Sequence, residues 1–297
     1  MSTSRTREKA DKATFTQAEV TAGDTAARAG RKNLIINGGM QVAQRGTTAV
    51  YSGNTSRGFV CDRWFAEGYP LNMTVTQSTL TYNGIDYKSS SLSSITGSWK
   101  LFHAIENGRV NNHNKTLTFS FVASGSGSIQ PISWGGAQRT FGSSITLTGT
   151  PTHYEITHTL ESAATGDHLY IGFSGSGGSM NVTNVQLELG SVATDFEHRS
   201  YGEELALCQR YYEVCYAWQQ GMATGASQYV AAASVLYAVP KRALPTLSVT
   251  AGGFGSVVKI SVTGQRNSST SGFGLQGIST ASGEIYSDTK VTADAEL

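Results

Sequence analysis

Apolar residues fall at every second position along much of this chain. Leu117, Phe119 and Phe121 alternate with Thr116, Thr118 and Ser120. Tyr154, Ile156, His158 and Leu160 repeat the pattern, as do Leu169, Ile171 and Phe173 against Tyr170 and Gly172. Val185, Leu187 and Leu189 close the series. Successive side chains of a strand point to opposite faces, so period two predicts strands with one buried and one wet face, as in an antiparallel sandwich. Leu34, Ile35 and Ile36 read as the first strand, stopped by the turn Asn37-Gly38-Gly39. Ser124-Gly125-Ser126-Gly127 and Ser174-Gly175-Ser176-Gly177-Gly178 read as turns, too short to link domains.

The pattern changes in two places. Residues 1–32 hold seven Lys/Arg, four Asp/Glu and few large apolar side chains, so they build no core of their own. Thr16 and Glu19 have capping-box spacing within them. Residues 203–213, EELALCQRYYE, set Leu205, Cys208 and Tyr212 at three-to-four spacing. That predicts a short helix, with Glu203 and Glu204 favourably placed at its start. Alternation then returns over 229–239 and 247–249, with Pro240 and Pro245 at edges or turns. A further strand is expected over 257–262 and a final pair within 272–297. The predicted organisation is an extended or helical N-terminal arm over 1–32, a β-sandwich over 33–200 and a smaller β domain over 201–297. No repeat of fixed period appears, which disfavours solenoids and propellers.

Composition narrows the class. Charged residues make up only 14% of the 297, glycine is high at 34 and proline low at 5. That balance fits short strands joined by Gly/Ser/Asn turns and does not fit a disordered chain. A net charge of +1 gives no general attraction to nucleic acid. No apolar stretch is long enough for membrane insertion, and the first residues carry no apolar signal core. Cys61, Cys208 and Cys215 form neither a disulfide framework nor a metal motif, and are expected as free thiols.

Two segments carry a family resemblance. Residues 33–46, NLIINGGMQVAQRG, lead through Phe59-Val60 to Cys61-Asp62-Arg63-Trp64-Phe65. Residues 184–212, NVQLELGSVATDFEHRSYGEELALCQRYY, stand at the other end. Together they resemble the opening and closing signatures of a domain found in phage tail fibres and prophage tail proteins, covering about 33–215. Gly39 and Asp195 depart from that pattern, where an acidic residue and a proline are usual. The resemblance implies a jelly-roll sandwich similar to carbohydrate-binding modules. It implies that Asp62, Arg63, Trp64, Phe196 and Arg199 are a fold signature; the residues themselves lead us to expect Asp62-Arg63 as an ion pair beside a buried Trp64. It further implies a non-enzymatic bacteriophage virion protein, made in the host bacterial cytoplasm and resident in the tail. The expected role is a tail fibre or adhesin, a homotrimer attached to tail or baseplate proteins by residues 1–32. It would meet a host surface glycan or protein through its distal domain. The rival roles are a capsid decoration or collar/baseplate fibre protein, and a polysaccharide-degrading tailspike.

Candidate chemistry is sparse. Sugar recognition needs exposed aromatic faces with polar groups at the rim. Trp134, which precedes Gly135-Gly136, and Trp218, which precedes Gln219-Gln220-Gly221 on an expected hairpin tip, are the candidates, with Gln219 and Gln220. Trp99 is the third tryptophan outside the signature. Glycoside cleavage needs two carboxylates across a sugar. Asp62, Glu67, Glu106, Glu155, Asp167, Glu188 and Asp195 are available, but none sits in a recognisable motif. His153 and His158 lie five apart on a strand, so they face opposite sides and make no zinc pair. No nucleophile elbow or phosphate loop is present. No catalytic residue and no cofactor is assigned. The one ion left open is structural calcium, for which Gly166-Asp167 or residues 111–114 offer oxygens.

Overall fold

The structure is a computed structural model that describes residues 32–53, 58–134, 138–160, 168–225, 229–254, 261–266, 268–278 and 282–296. Nearly all of the predicted N-terminal arm, its Thr16–Glu19 pair and Gly166-Asp167 lie outside the described residues. The chain is all-β, a jelly-roll sandwich followed by a smaller sandwich. The first unit contains β1 (Thr48–Tyr51), β2 (Gly58–Phe59), β3 (Trp64–Tyr82), β4 (Ile85–Ile105), α1 (Gly108–Asn112), β5 (Thr116–Ser126) and β6 (Ser128–Trp134). It continues with β7 (Gln138–Thr140), β8 (Ile145–Thr146), β9 (Thr152–Thr159), β10 (Leu169–Ser176) and β11 (Ser179–Leu189). These strands make one curled 11-stranded sheet with the path β7-β6-β10-β4-β11-β5-β9, and β3 pairs with β1, β2 and β4.

After α2 (Tyr201–Gln209) come β12 (Tyr212–Ala223), β13 (Tyr229–Leu236), β14 (Thr246–Phe254), β15 (Ser261–Arg266), β16 (Gly272–Ile278) and β17 (Gly283–Asp294). They form two three-stranded sheets, β12-β17-β14 and β13-β16-β15. Cys215, Leu247, Phe273, Leu275 and Val291 are buried in their core. All three cysteines are free and buried. Among the described residues, no helix is long and apolar enough to cross a membrane.

Alternation places the main core as expected. Leu117, Phe119 and Phe121 of β5 and Leu169, Ile171 and Phe173 of β10 are fully buried. The other face of β5, however, is not wet. Thr118 and Ser120 are buried as well. The chain after β11 folds over them: Thr118 Oγ1 donates to Gly190 O at 2.8 Å, and Gln186, paired with Ser120, donates from Nε2 to Thr194 O at 3.2 Å. Hydroxyls and amides cover this face by bonding to the returning backbone, which strand periodicity alone does not report.

Residues 34–36 form no strand. They bond to β11 mainly through side chains that occupy ladder positions. Leu34 N donates to Leu187 O at 2.9 Å, but Asn33 Oδ1 accepts from Ile35 N and Leu187 N, and Asn33 Nδ2 donates to Val185 O. Arg199 donates to Asn33 O at 2.7 Å and Ile35 O at 3.0 Å. Gly38 then passes so close that a Cβ there would sit 2.0 Å from Val185 O. The helix also differs from expectation. It starts at Tyr201 and ends at Gln209, because Ser200 and Glu203 form a capping box and Tyr212 already pairs with Asp294 in β12. Its buried residues are Glu204 and Cys208, not Leu205. Glu204 goes inward because it accepts from Asn37 N and Arg199.

Asn33→Ala should therefore lower stability by about 2–4 kcal/mol, since three buried backbone groups lose their partner. Asn72→Ala, which removes one exposed bond to Thr96, should cost less than about 0.5 kcal/mol. Urea unfolding of both variants checks this, and equal midpoints would show that Asn33 is not a structural hub.

Candidate functional site

The strand β4 is apolar on both faces near its end. Trp99, Leu101 and His103 point into the main core and are buried. Phe102 and Ala104 point the other way and are buried too, with Phe65 from β3 and Ile132 from β6. Strand register aligns them: Phe65 pairs with Phe102, Phe102 with Gly172, and Gly172 with Ile132. One step along the sheet, Tyr170 pairs with Trp134. One step the other way, Glu67 pairs with Lys100. A Cβ at Gly172 would fall 1.9 Å from Leu101 O, so the centre of this face carries glycine and no side chain.

The result is a cleft of about 200 Å³ lined by Phe65, Glu67, Phe102, Trp134 and Tyr170. Phe65 and Phe102 form its base, with ring centroids 5.6 Å apart. Tyr170 meets Phe65 edge-on at 5.9 Å, and Trp134 meets Phe102 edge-on at 6.4 Å. Edge-to-face contacts of this kind fix ring orientations. Trp134 and Tyr170 remain half-buried, so part of each stays open to a ligand. Lys100 reaches across: its Nζ lies 4.4 Å from the Trp134 centroid and 3.5 Å from Glu67 Oε1.

The predicted site residues are not brought together. Trp134 lines the cleft. Trp218, Gln219 and Gln220 lie on β12 of the smaller sandwich, and they are not at a hairpin tip. β12 pairs with β17 as far as Ala223, so any tip begins later. Trp218 is exposed on its strand between Tyr216 and Met222, also exposed, and Gln220 Nε2 donates to Glu284 Oε1 at 3.3 Å. Sequence reasoning did not single out Phe65, Lys100, Phe102 or Tyr170, and took Glu67 only as one carboxylate among several. The available signal was the run WKLFHAI at 99–105, apolar at odd and even positions alike.

Of the described candidate carboxylates, only Glu67 lines the cleft. Glu106 meets Arg210 and Tyr211, Glu155 meets His153, and Glu188 accepts from Thr194. His153 and His158 face opposite sides of β9. Among the described residues no His/Cys/Asp/Glu group is arranged to hold a metal ion. Asn112 Nδ2 turns back to Gly108 O within α1, and Asn114 N donates to Leu160 O, so residues 111–114 make an ordinary helical end.

The signature residues form a joint instead of a cleft. Asp62 and Arg63 do not pair with each other. Asp62 accepts from Gln44 N and Gln44 Nε2 and lies 3.9 Å from Arg45. Arg63 has a left-handed backbone, φ 71°, which turns it away to pair with Glu296 and to lie over the Tyr211 ring at 3.5 Å. Arg45 stacks between Phe59 and Tyr212 and pairs with Asp294 at 3.2 Å and Glu296 at 3.4 Å. Trp64 Nε1 donates to Asn37 O, and Phe196 packs edge-on to His198. The contacts of Arg45 and Arg63 fasten the jelly roll to the smaller sandwich, while those of Asp62, Trp64 and Phe196 stay within 33–200.

No protein-family profile matches this chain, and no curated protein sequence matches it. Solved structures with a similar shape include the enzymatically active domain of bacteriophage CBA120 tailspike protein 4. It is 14% identical with a TM-score of 0.35, over 53% of this chain and 21% of that one. A family 22 carbohydrate-binding module of Clostridium thermocellum Xyn10B is 16% identical with a TM-score of 0.35, over 48% and 98%. The tandem CBM22-1-CBM22-2 of Paenibacillus barcinonensis Xyn10C is 10% identical with a TM-score of 0.34, over 86% and 99%. This chain thus spans about a fifth of the tailspike domain's length. At these identities and scores the likeness transfers no residue role, ligand or activity.

Electrostatics at the joint give a test. Burial pushes the Glu296 carboxyl above its ordinary value of 4.5, against the pull of Arg63 and Arg45. A group so raised binds its proton more readily folded than unfolded. Its contribution to stability grows as pH falls through the raised value and is complete below the ordinary one. Glu106 has the opposite sign. Partial burial pushes it up, but the Tyr211 hydroxyl and Arg210 pull harder and hold it below 4.5. Its contribution is present above the ordinary value and lost as pH falls through the depressed one. Thermal unfolding from about pH 7 to about pH 3 should show wild type gaining on Glu296→Gln as pH falls, and losing its advantage over Glu106→Gln. A wild-type/Glu296→Gln difference that stays flat with pH would contradict the burial argument.

Proposed function

We propose that this protein recognises a glycan and that the Trp134 cleft holds it. One observation carries the reading: an open cleft on the face away from the core, walled by four aromatic rings, with a carboxylate and an ammonium at its rim. A pyranose offers an apolar C–H face and a belt of hydroxyls. Trp134 and Tyr170 supply partly open rings for the first, and Glu67 supplies an acceptor for the second. The volume is below the roughly 300–1,000 Å³ of enclosed ligand pockets, which suits one ring gripped while the saccharide runs on along the sheet.

The role we infer is binding without bond cleavage. Glycoside hydrolysis takes two carboxylates, and among the described residues the cleft has Glu67 alone. We further infer a bacteriophage tail fibre or adhesin, on the strength of the two-ended signature at 33–65 and 184–212. In that role residues 1–32 attach to tail or baseplate proteins, and three copies give avidity to a weak sugar site. A second reading, a purely structural virion protein, is favoured by the exposed Tyr216, Trp218 and Met222 on β12, since a row of large apolar side chains suits a protein contact.

Trp134→Ala and Tyr170→Ala should each weaken binding to host surface polysaccharide by at least about tenfold, ~1.4 kcal/mol. Purified wild type should block phage adsorption, Trp134→Ala should not, and Trp218→Ala should still do so. Blocking that survives Trp134→Ala and fails with Trp218→Ala would move recognition to the smaller sandwich. No blocking by wild type, with virions destabilised by Trp218→Ala, would favour the structural role.

A further inference from the structure

We propose that the cleft is preset for a ligand bearing an ammonium group, that is, a glycan with a free amine or an alkylammonium substituent. This rests on the glycan reading of the same cleft and names the chemical class. The first observation is that a cation already sits against the tryptophan of this cleft. Lys100 starts on β4 and Trp134 on β6, with β10 between them. A lysine on a sheet face ordinarily sends its head to water. Here its Nζ lies 4.4 Å from the Trp134 centroid and 5.9 Å from that of Phe102, and its side chain is only 27% exposed. Glu67 Oε1, 3.5 Å away, completes the setting. Ring faces attract cations through their quadrupole, and a carboxylate adds directional charge.

Charge balance then selects among ligands. An anionic sugar would have to break the Glu67–Lys100 pair and leave Glu67 facing a like charge. A neutral sugar displaces Lys100 from Trp134 and returns nothing in its place. An ammonium-bearing sugar exchanges one cation for another: it takes both the Glu67 carboxylate and the Trp134 face, and the freed Lys100 swings into water. Alkylation of the ligand nitrogen strengthens the exchange, because a poorly hydrated cation loses less water on reaching the ring. Phe65, Phe102 and Tyr170 supply further aromatic wall for its methyl or methylene groups. Lys100 is thus an internal competitor that ligand must displace.

The test uses the full chain titrated by NMR with an oligosaccharide of glucosamine, at a pH where its amines are charged, and with its N-acetylated counterpart. Tetramethylammonium chloride is added as a competitor against sodium chloride at equal ionic strength. We expect the free-amine sugar to bind about tenfold more tightly than the acetylated one. Tetramethylammonium should compete where sodium does not. Glu67→Gln should abolish the preference, and Lys100→Met should raise affinity for the amine several-fold. Urea unfolding confirms that both variants fold, and the salt competition needs neither. If the acetylated sugar binds equally well at Trp134 and tetramethylammonium is inert, the ammonium inference is overturned and the glycan reading stands. If no sugar in the titrations, host polysaccharide included, perturbs Trp134 or Tyr170, both fall.

Discussion

The first sandwich is organised around a seven-residue run of β4, 99–105, whose five apolar residues fall on both faces. A half-exposed strand needs only one covered side. Residues 99–105 need two, because Trp99 and Leu101 face one way while Phe102 and Ala104 face the other, all buried. The main core answers the first demand. Phe65, Ile132, Tyr170 and Trp134 answer the second, and answer it incompletely, since Gly172 at the centre carries no side chain. The gap they leave is the cleft. Its position is fixed by register, and register in turn by the β3–β4 hairpin, closed by Asn83 and Gly84 at φ 51° and 77°, the left-handed pair that a tight two-residue turn requires.

A second set of contacts holds the ends of the chain around that sheet. The Asn33 side-chain amide replaces backbone ladder bonds to β11, and Asn37 N donates to Glu204 of α2, so a segment without regular strand structure is held against both. Arg63 and Arg45 then carry the jelly roll across to the smaller sandwich. Both arginines lie over tyrosine rings and pair with carboxylates, which spreads the cost of burying charge. Deleting one partner of such a pair leaves an uncompensated buried charge, worth about 3–5 kcal/mol.

Much of this was legible in the sequence. Alternation located the cores of β5, β10 and β11, but Tyr154 and Ile156 of β9 are only partly buried, and the Ser/Gly stretches expected as turns stay in strand as far as Ser126 and Ser176. The features that escaped it share a cause: they depend on which residues meet across strands. Tyr170 and Trp134 are 36 positions apart in number and adjacent in register. Thr118 and Ser120 look like a wet face until residues 190–195 are known to cross them. Asp62 and Arg63, adjacent in sequence, invite pairing, but a left-handed residue between a loop and a strand sends them apart. Glu204 reads as a helix-dipole partner and turns out to be buried as a cap for Asn37 N. The sequence singled out Trp134 because glycines follow it, and the structure places it half-buried at the end of β6. Its neighbours were not singled out, because each looks like ordinary core.

The central claim is that the aromatic cleft, and not the exposed row on β12, is where ligand binds. Chemical-shift mapping on isotope-labelled protein with a host surface oligosaccharide tests it directly. The account predicts perturbed signals from Phe65, Phe102, Trp134 and Tyr170, with Tyr216, Trp218 and Met222 unmoved. Perturbation confined to the β12 row, with the four cleft rings silent, would contradict it.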